Sequence, residues 1–334
     1  MVSLKDISQR CNVSVATVSK ALNGHRDIGE GTAKHIRSVA KEMGYLPNAA
    51  ARALKTNRTN NLGVLFMDKT QSGLSHEYFA SMLESFKVEA ERCGYDITFI
   101  SNNLGQMSYL EHCRYRACDG VVIACVDFNA PAVMELVRSE IPVVTVDHVF
   151  NEKTAILSDN VQCVKDLVTY IYQRGHRRIA FIHGEDTSVT QKRIASFYRT
   201  CRELNLSLPE SYVRSAWYHN PESSAEETRA LLALPEPPTC IMYPDDFSFI
   251  GGRNALEEMS LRIPEDISVA GFDGIYLSQV LQPKLTTIRQ DTGNLGREAA
   301  RHLIASIEDP KMALPEQVMV AGQLLPGSSV KTLA

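Results

Sequence analysis

Residues 14–24 read SVATVSKALNG, and this stretch decides how the N-terminal region folds. Ser14 is a natural N-cap, because a short hydroxyl accepts from the free amides of a first helical turn. Behind it Val18, Ala21 and Leu22 form one apolar stripe at helical spacing. Upstream, Ser3-Leu4-Lys5-Asp6 fits a capping box, with Ser3 as N-cap and Asp6 near the third helical position. Leu4, Ile7, Ser8 and Cys11 then share a face. Asn12 tolerates a left-handed turn, and Val13 is an apolar plug. Two short helices joined by about four residues make a helix-turn-helix. A third amphipathic helix follows, with Ile36, Val39, Ala40 and Met43 at i, i+3, i+4 and i+7, and Gly44 as its C′ residue.

In such a motif the second helix enters the major groove of DNA with its N-terminal residues leading. Val15 and Ala16 can touch thymine methyls, and Lys20 can donate to guanine O6 and N7. Ser14, Thr17, Ser19, Asn23 and Thr32 are short hydrogen-bonding groups suited to phosphates. For Thr17 and Ser19 an ordinary polar helix surface is the alternative. Residues 44–55, GYLPNAAARALK, start a short Ala-rich helix at Pro47. Alone it is marginal in water, so it should order against a symmetry mate and DNA, with Leu54 as a minor-groove wedge. The alternative is a flexible linker, which residues 56–61 certainly resemble. Leu4, Tyr45, Asn48 and Ala51 complete the candidate DNA-facing set. Residues 1–60 carry ten Lys/Arg against four Asp/Glu, while the rest carries 25 against 35. That asymmetry describes a basic module on an acidic body.

The whole chain has 334 residues, enough for about two or three folding units. With 44% hydrophobic and 22% charged residues it reads as soluble and globular. No run of about 18 apolar residues exists, which excludes a membrane-spanning helix and a membrane partner. The N-terminus has no secretory pattern, so a cytoplasmic, nucleoid-associated location is expected. The eight cysteines contain no CxxC pair. They are expected to be buried or partly buried free thiols rather than disulfides or zinc ligands.

From Leu62 onward short apolar runs alternate with amphipathic stretches. The strands are expected at 62–67, 96–101, 120–125, 142–147, 179–184, 239–244 and 267–273. Helices are expected at 78–93, 130–139, 160–174, 188–205, 221–233 and 246–259. Such alternation means parallel sheets covered by helices on both faces, here as two Rossmann-like subdomains with a boundary near Leu157-Ser158. A crossover strand at 285–290, a helix at about 292–307 and a strand at 318–326 follow. Ligands in such folds lie at the C-terminal ends of strands, between the sheets. Asp147, Asp245, Asp246 and Asp273 fall at those ends, and Arg193 lies early in a helix. Tyr78 and Phe79 follow a loop containing Ser72, Gly73 and Ser75, with His76 and His148 as neighbours. Carboxylates, an arginine fork and aromatic faces suit a carbohydrate. The alternatives are that Asp246 caps the following helix and that Tyr78 and Phe79 pack that helix onto the sheet.

No GxGxxG follows the first strand, and Walker, HExxH and GxSxG motifs are absent. The expectation is a protein without catalytic residues, metal or cofactor. Asp147, Asp245 and Asp273 acting as acid and base is the enzymatic alternative. A sugar-binding transport protein of the same fold would need an export signal and would lack the basic module.

SVATVSKALNG, Ile28 to Thr32, MGYLPNAAARALKT, and ISVAGFDG…LTTIRQD…LGREAA resemble the LacI/GalR family of bacterial transcription regulators over essentially the whole chain. The resemblance implies a helix-turn-helix domain joined to a periplasmic-binding-protein-like effector domain. It places the DNA-binding domain at 1–46, a hinge and linker at 47–61, and an effector and dimerisation domain at 62–334. Within the last, one subdomain would span about 62–157 and 291–319, the other about 158–290 and 320–334. Val15, Ala16 and Lys20 fall on base-reading positions, and Leu54 on the intercalating hinge leucine. Asp147, Arg193, Asp245 and Asp273 fall on effector-contacting positions. The sequence departs from the family pattern at Ser8, Cys11 and Asn12, where Ala, Ala and Gly are usual, at Asp27, and at Asp245 in place of Asn. The implied protein is a repressor of a pseudo-palindromic operator, controlled by a small molecule, a sugar or sugar derivative. Dimerisation would use helix 78–93 and the region 246–283. The tail GSSVKTLA has no leucine heptads, which predicts a homodimer without a tetramerising segment. Some members use a phosphoprotein corepressor, and that partner class stays open.

Overall fold

The structure is a computed structural model that describes residues 2–25, 27–46, 53, 58–67, 72–101 and 106–333. It divides into two units, Met1–Thr59 and Asn60–Ala334. In the first, α1 (Leu4–Cys11), α2 (Val15–Leu22) and α3 (Glu30–Glu42) surround one small core. The Ser3–Asp6 capping box forms in both directions, and Asn12 takes φ 52 to end α1. Ser14 caps α2 by accepting from the Thr17 amide. Ile7, Val18, Ala21, Ala33, Ile36, Val39 and Ala40 are buried together, with Leu4, Val13, Leu22, Met43 and Tyr45 packed around them. The helical periodicity of the sequence thus becomes the contact surface of all three helices.

The second unit contains two six-stranded sheets. The first holds β1 (Asn61–Phe66), β2 (Asp96–Ile100), β3 (Gly120–Ala124), β4 (Val143–Val146), β5 (Thr154–Ser158) and β11 (Gln317–Val320), in the order β11-β5-β4-β3-β1-β2. All its pairings are parallel. The second holds β6 (Ile179–His183), β7 (Val213–Ser215), β8 (Cys240–Met242), β9 (Ser268–Asp273), β10 (Thr286–Arg289) and β12 (Gln323–Leu325), in the order β12-β10-β9-β8-β6-β7. Only β12 runs antiparallel, with Thr287 opposite Leu325. The helices are α4 (Glu77–Arg92), α5 (Tyr109–Tyr115), α6 (Pro131–Val137), α7 (Asn160–Gln173), α8 (Ser188–Glu203), α9 (Pro221–Leu232), α10 (Phe249–Glu258), α11 (Tyr276–Val280) and α12 (Thr292–Glu308). Each sheet has apolar clusters on two faces, the pattern of buried parallel strands.

The chain crosses between the sheets three times: after β5, after β10 and between β11 and β12. The stretch 318–326, expected as one strand, is therefore two. It breaks at Ala321-Gly322, where the chain passes from the first sheet to the second, and there a Cβ on Gly322 would lie 2.6 Å from the Cys163 sulfur. The short elements β7, α5 and α11 were not expected from periodicity, since three to seven residues span too few turns to show it. Four cysteines are buried and three half-buried, but Cys93 is exposed, contrary to expectation. It sits at the C-cap of α4. Among the described residues, no helix is long and apolar enough to cross a membrane.

Candidate functional site

The leading end of α2 is the first candidate surface. Ser14, Val15, Ala16, Lys20, Asn23 and Thr32 are exposed, and Thr17 and Ser19 are half-buried. Exposure of Val15 is notable for an aliphatic side chain in so small a module. The Ser14 and Thr17 hydroxyls lie 2.8 Å apart, and the Asn23 amide donates to the Ser19 carbonyl at 2.7 Å. Lys20 is paired with Asp27 at 2.5 Å. Leu4 and Tyr45 pack partly into the three-helix core. Asn48, Ala51 and Leu54 lie outside the described residues.

The second candidate site is a cleft between the two sheets of the larger unit, with a cavity of about 300 Å³. Tyr78, Phe79, Asp147, Arg193, Asp245 and Asp273 all line it. They arrive on separate elements. Tyr78 and Phe79 open α4, Asp147 follows β4, Arg193 lies in α8, Asp245 follows β8, and Asp273 ends β9.

Each polar group is held by its neighbours. The Asp147 carboxylate accepts from the Ser158 amide at 2.7 Å and from the Tyr78 hydroxyl at 3.3 Å. Its carbonyl accepts from the Ser188 hydroxyl at 2.9 Å, a bond across the cleft. Burial pushes the Asp147 carboxyl up, opposed by the Ser158 amide and by Arg193. Burial also drives the Tyr78 phenol well above its ordinary value, with Asp147 adding to it, so the hydroxyl stays a donor. Arg193 is buried; its Nε donates to Asn160 at 2.7 Å and its Nη1 to the Pro244 carbonyl at 2.9 Å. The guanidinium lies 3.6 Å from the centre of the Phe272 ring, a stabilising arrangement for a desolvated cation.

Asp245 accepts from the Ser248 amide and hydroxyl, both at 2.7 Å, and from the His219 amide at 2.9 Å. It is therefore Asp245 that organises the turn into α10. The expected cap, Asp246, is fully buried and points elsewhere. It accepts from the Thr287 hydroxyl at 2.6 Å and the Ile275 amide at 3.0 Å. A Cβ on Gly271 would fall 2.1 Å from its oxygen, so only glycine lets it lie across the sheet.

Asp273 takes φ 101, a conformation that asparagine and aspartate tolerate better than other side chains. Its Oδ1 accepts from Gln290 at 2.6 Å. Burial pushes its carboxyl up to about 7, with Asp245 and Asp147 adding to the shift and Arg193 opposing it. Between about pH 4 and 7 the folded protein thus holds a proton that the unfolded chain has lost. Stability from this group is full at the acid end and declines as pH rises through 7. Asp147 and Asp246 act in the same direction. Asp273→Asn should therefore give a shallower fall in melting temperature between about pH 5 and 8, and higher stability at the alkaline end. Melting curves at several pH values check this; parallel curves for both proteins would contradict it.

The aromatic neighbours also meet across the cleft. His76, before α4, stacks on His219 at 4.2 Å, and His219 stacks on Phe247 at 3.9 Å. His148 lies flat against Phe128 at 4.1 Å. Burial and nearby Lys192 hold the His148 imidazole below its ordinary value. Phe128, Tyr218, His219 and Gln290 line the cleft as well. Sequence reasoning missed them. Gln290 follows an expected strand and was within reach of the strand-end rule; Tyr218 follows the three-residue β7, which gives no periodic signal.

This geometry has counterparts among known proteins. The family of bacterial regulatory proteins named for lacI matches residues 3–48, and a periplasmic binding protein-like domain matches residues 168–330. The HTH-type transcriptional repressor PurR of Escherichia coli is 31% identical over 341 residues, covering 99% of this chain and 97% of that protein. The chain belongs to the LacI/GalR family of bacterial transcriptional regulators. The lac repressor dimer bound to operator and the anti-inducer ONPF shares its fold, with a TM-score of 0.80 at 21% identity over 99% of both chains. So does the regulator CelR in complex with cellobiose, with a TM-score of 0.72 at 21% identity, covering 98% of this chain and 100% of that one. As a LacI-family regulator the protein is a DNA-binding transcriptional repressor that responds to an effector. Its relatives are regulators rather than enzymes. No cluster of three or more His, Cys, Asp or Glu able to hold a metal occurs among the described residues.

Proposed function

We propose that this repressor binds a pseudo-palindromic operator as a homodimer in the cytoplasm, at the nucleoid, and that a sugar or sugar derivative in the cleft sets its operator affinity. Residues 1–46 form the DNA-reading domain, 47–61 the hinge and linker, and 62–334 the effector and dimerisation domain. Val15, Ala16 and Lys20 read bases, the short polar residues around α2 hold phosphates, and Leu54 wedges the minor groove. The observation that carries the reading is the convergence of Tyr78, Phe79, Asp147, Arg193, Asp245 and Asp273 on one cleft between the sheets. Carboxylates accept from hydroxyls, the guanidinium donates, and the aromatic faces cover the ring. The CelR relative of this fold holds cellobiose, which favours a carbohydrate.

A ligand gripping both sheets favours one spacing of the subdomains. Effector and DNA then change each other's affinity by the same factor. Sheared DNA from the source genome, incubated with the protein and sequenced after recovery, should be enriched in a short palindrome. Genes beside it name the effector's pathway. Recovery of no sequence, with and without added metabolites, would overturn the proposal.

A further inference from the structure

The charge inside the cleft narrows the chemistry of its ligand. Six carboxyl groups line the cavity; Asp127 and Asp186 are exposed and Glu185 is half-buried, which leaves Asp147, Asp245 and Asp273 as the set whose charges act on one another. Arg193 is the one guanidinium among the lining residues. It is 4% exposed and already gives Nε and Nη1 to Asn160 and Pro244. Among the described residues it forms no ion pair. Burial, together with repulsion from Asp245 and Asp147, keeps a proton on Asp273 to near neutrality, and a cationic group seated beside it would relieve that repulsion.

An independent observation indicates where. Gln290 is 7% exposed and hands its amide N–H to Asp273 Oδ1. Its own oxygen, Oε1, is buried without a partner. Native structures rarely leave such an acceptor unmatched, and a ligand that donates to it is one way of satisfying it. Asp273 and Gln290 together offer acceptors in a cleft that Tyr78, Phe79 and Phe128 also line, and aromatic rings favour a cation over an anion.

We propose that the effector carries a protonated nitrogen, an amine or amidine on a compact polar skeleton such as an amino sugar, seated against Asp273 and Gln290, and that the cleft rejects phosphorylated and carboxylated ligands. The proposal rests on the cleft being the effector site and narrows the sugar derivative to a basic one. The groups facing Asp273 are Asp147 beyond β4, Asp245 and Asp246 beyond β8, Arg193 of α8, Tyr78 of α4, Tyr218 beyond β7 and Gln290 beyond β10. With the Asp273 carboxyl near neutrality, a bound cation pulls it down. Binding then releases a proton near pH 7 and weakens as the solution becomes more acid.

The test uses the full chain and matched probes: glucose, glucosamine and glucose 6-phosphate, the corresponding galactose set, and benzamidine. Trp217, the one tryptophan, neighbours cleft-lining Tyr218 and reports binding; thermal shift gives a second readout. Near neutral pH the amines should bind at least about tenfold more tightly than their neutral partners, and the phosphates should not bind. Acid pH and Asp273→Asn should both shrink that preference, and calorimetry in buffers of different ionisation heat should show proton release. Equal or tighter binding of neutral sugars, binding of a phosphate, or no binding of any amine would overturn the proposal. The wider reading fails separately. An amine that binds without altering affinity for the recovered palindrome would overturn the effector role and leave the charge assignment standing. A neutral sugar that alters DNA affinity would do the reverse.

Discussion

Arg193→Met is expected to abolish the effector response and to destabilise the larger unit by about 2–6 kcal/mol, because two buried hydrogen-bond acceptors lose their donor. The substitution keeps an unbranched chain that can still pack on Phe272, so little volume is lost. What is lost are the hydrogen bonds to Asn160 and to the Pro244 carbonyl. Each acceptor left buried and unmatched costs about 1–3 kcal/mol. Removing the guanidinium also takes away the charge that opposes the upward shifts of the Asp147 and Asp273 carboxyls. Their protons are then held to still higher pH, so the destabilisation should be larger in mildly alkaline than in mildly acid solution. A domain of this size has a total stability of about 5–15 kcal/mol, which makes the loss easy to see in a thermal melt followed by Trp217 fluorescence. Unchanged melting with a lost response would mean that Arg193 serves only the ligand. An unchanged response would remove it from the site.

The cleft was legible in the sequence where a strand ends on a charged residue. Asp147 and Asp273 close apolar runs whose length and composition mark buried parallel strands, so their position at the C-terminal edge follows from topology. Asp245 and Asp246 show the limit of that rule. Both lie in the turn that follows β8, where strand alternation no longer applies, and the sequence does not state which of them holds the turn into α10. Asp245 organises that turn, and Asp246 instead ties β10 and the approach to α11. The break between β11 and β12 was hidden for a different reason. The two halves pair with β5 in one sheet and β10 in the other, partners far away in the chain that the local sequence does not name. The pairing of Lys20 with Asp27 likewise depends on the loop between α2 and α3, which no periodicity describes.

Lys20→Ala is expected to cut operator affinity by about 2–6 kcal/mol, from roughly 30-fold to 10⁴-fold. Each lysine contact to a guanine edge is worth about 1–3 kcal/mol of discrimination, and the proposed homodimer makes two. Folding should be untouched, because Lys20 is exposed and alanine is the best helix former. The free protein holds Lys20 against Asp27, but exposed pairs of this kind exchange partners at little cost, so the lysine is available to DNA. Asp27→Asn is the informative control. It releases the lysine and removes a negative charge beside the DNA-facing surface, so it should strengthen binding to random sequence and raise the salt sensitivity of that binding. Titrations of operator and random duplexes at two salt concentrations separate the cases. A base-reading Lys20 loses operator affinity far more than random-sequence affinity. An equal loss on both would make it a phosphate contact, and no loss on either would mean that α2 is not the helix that reads the operator.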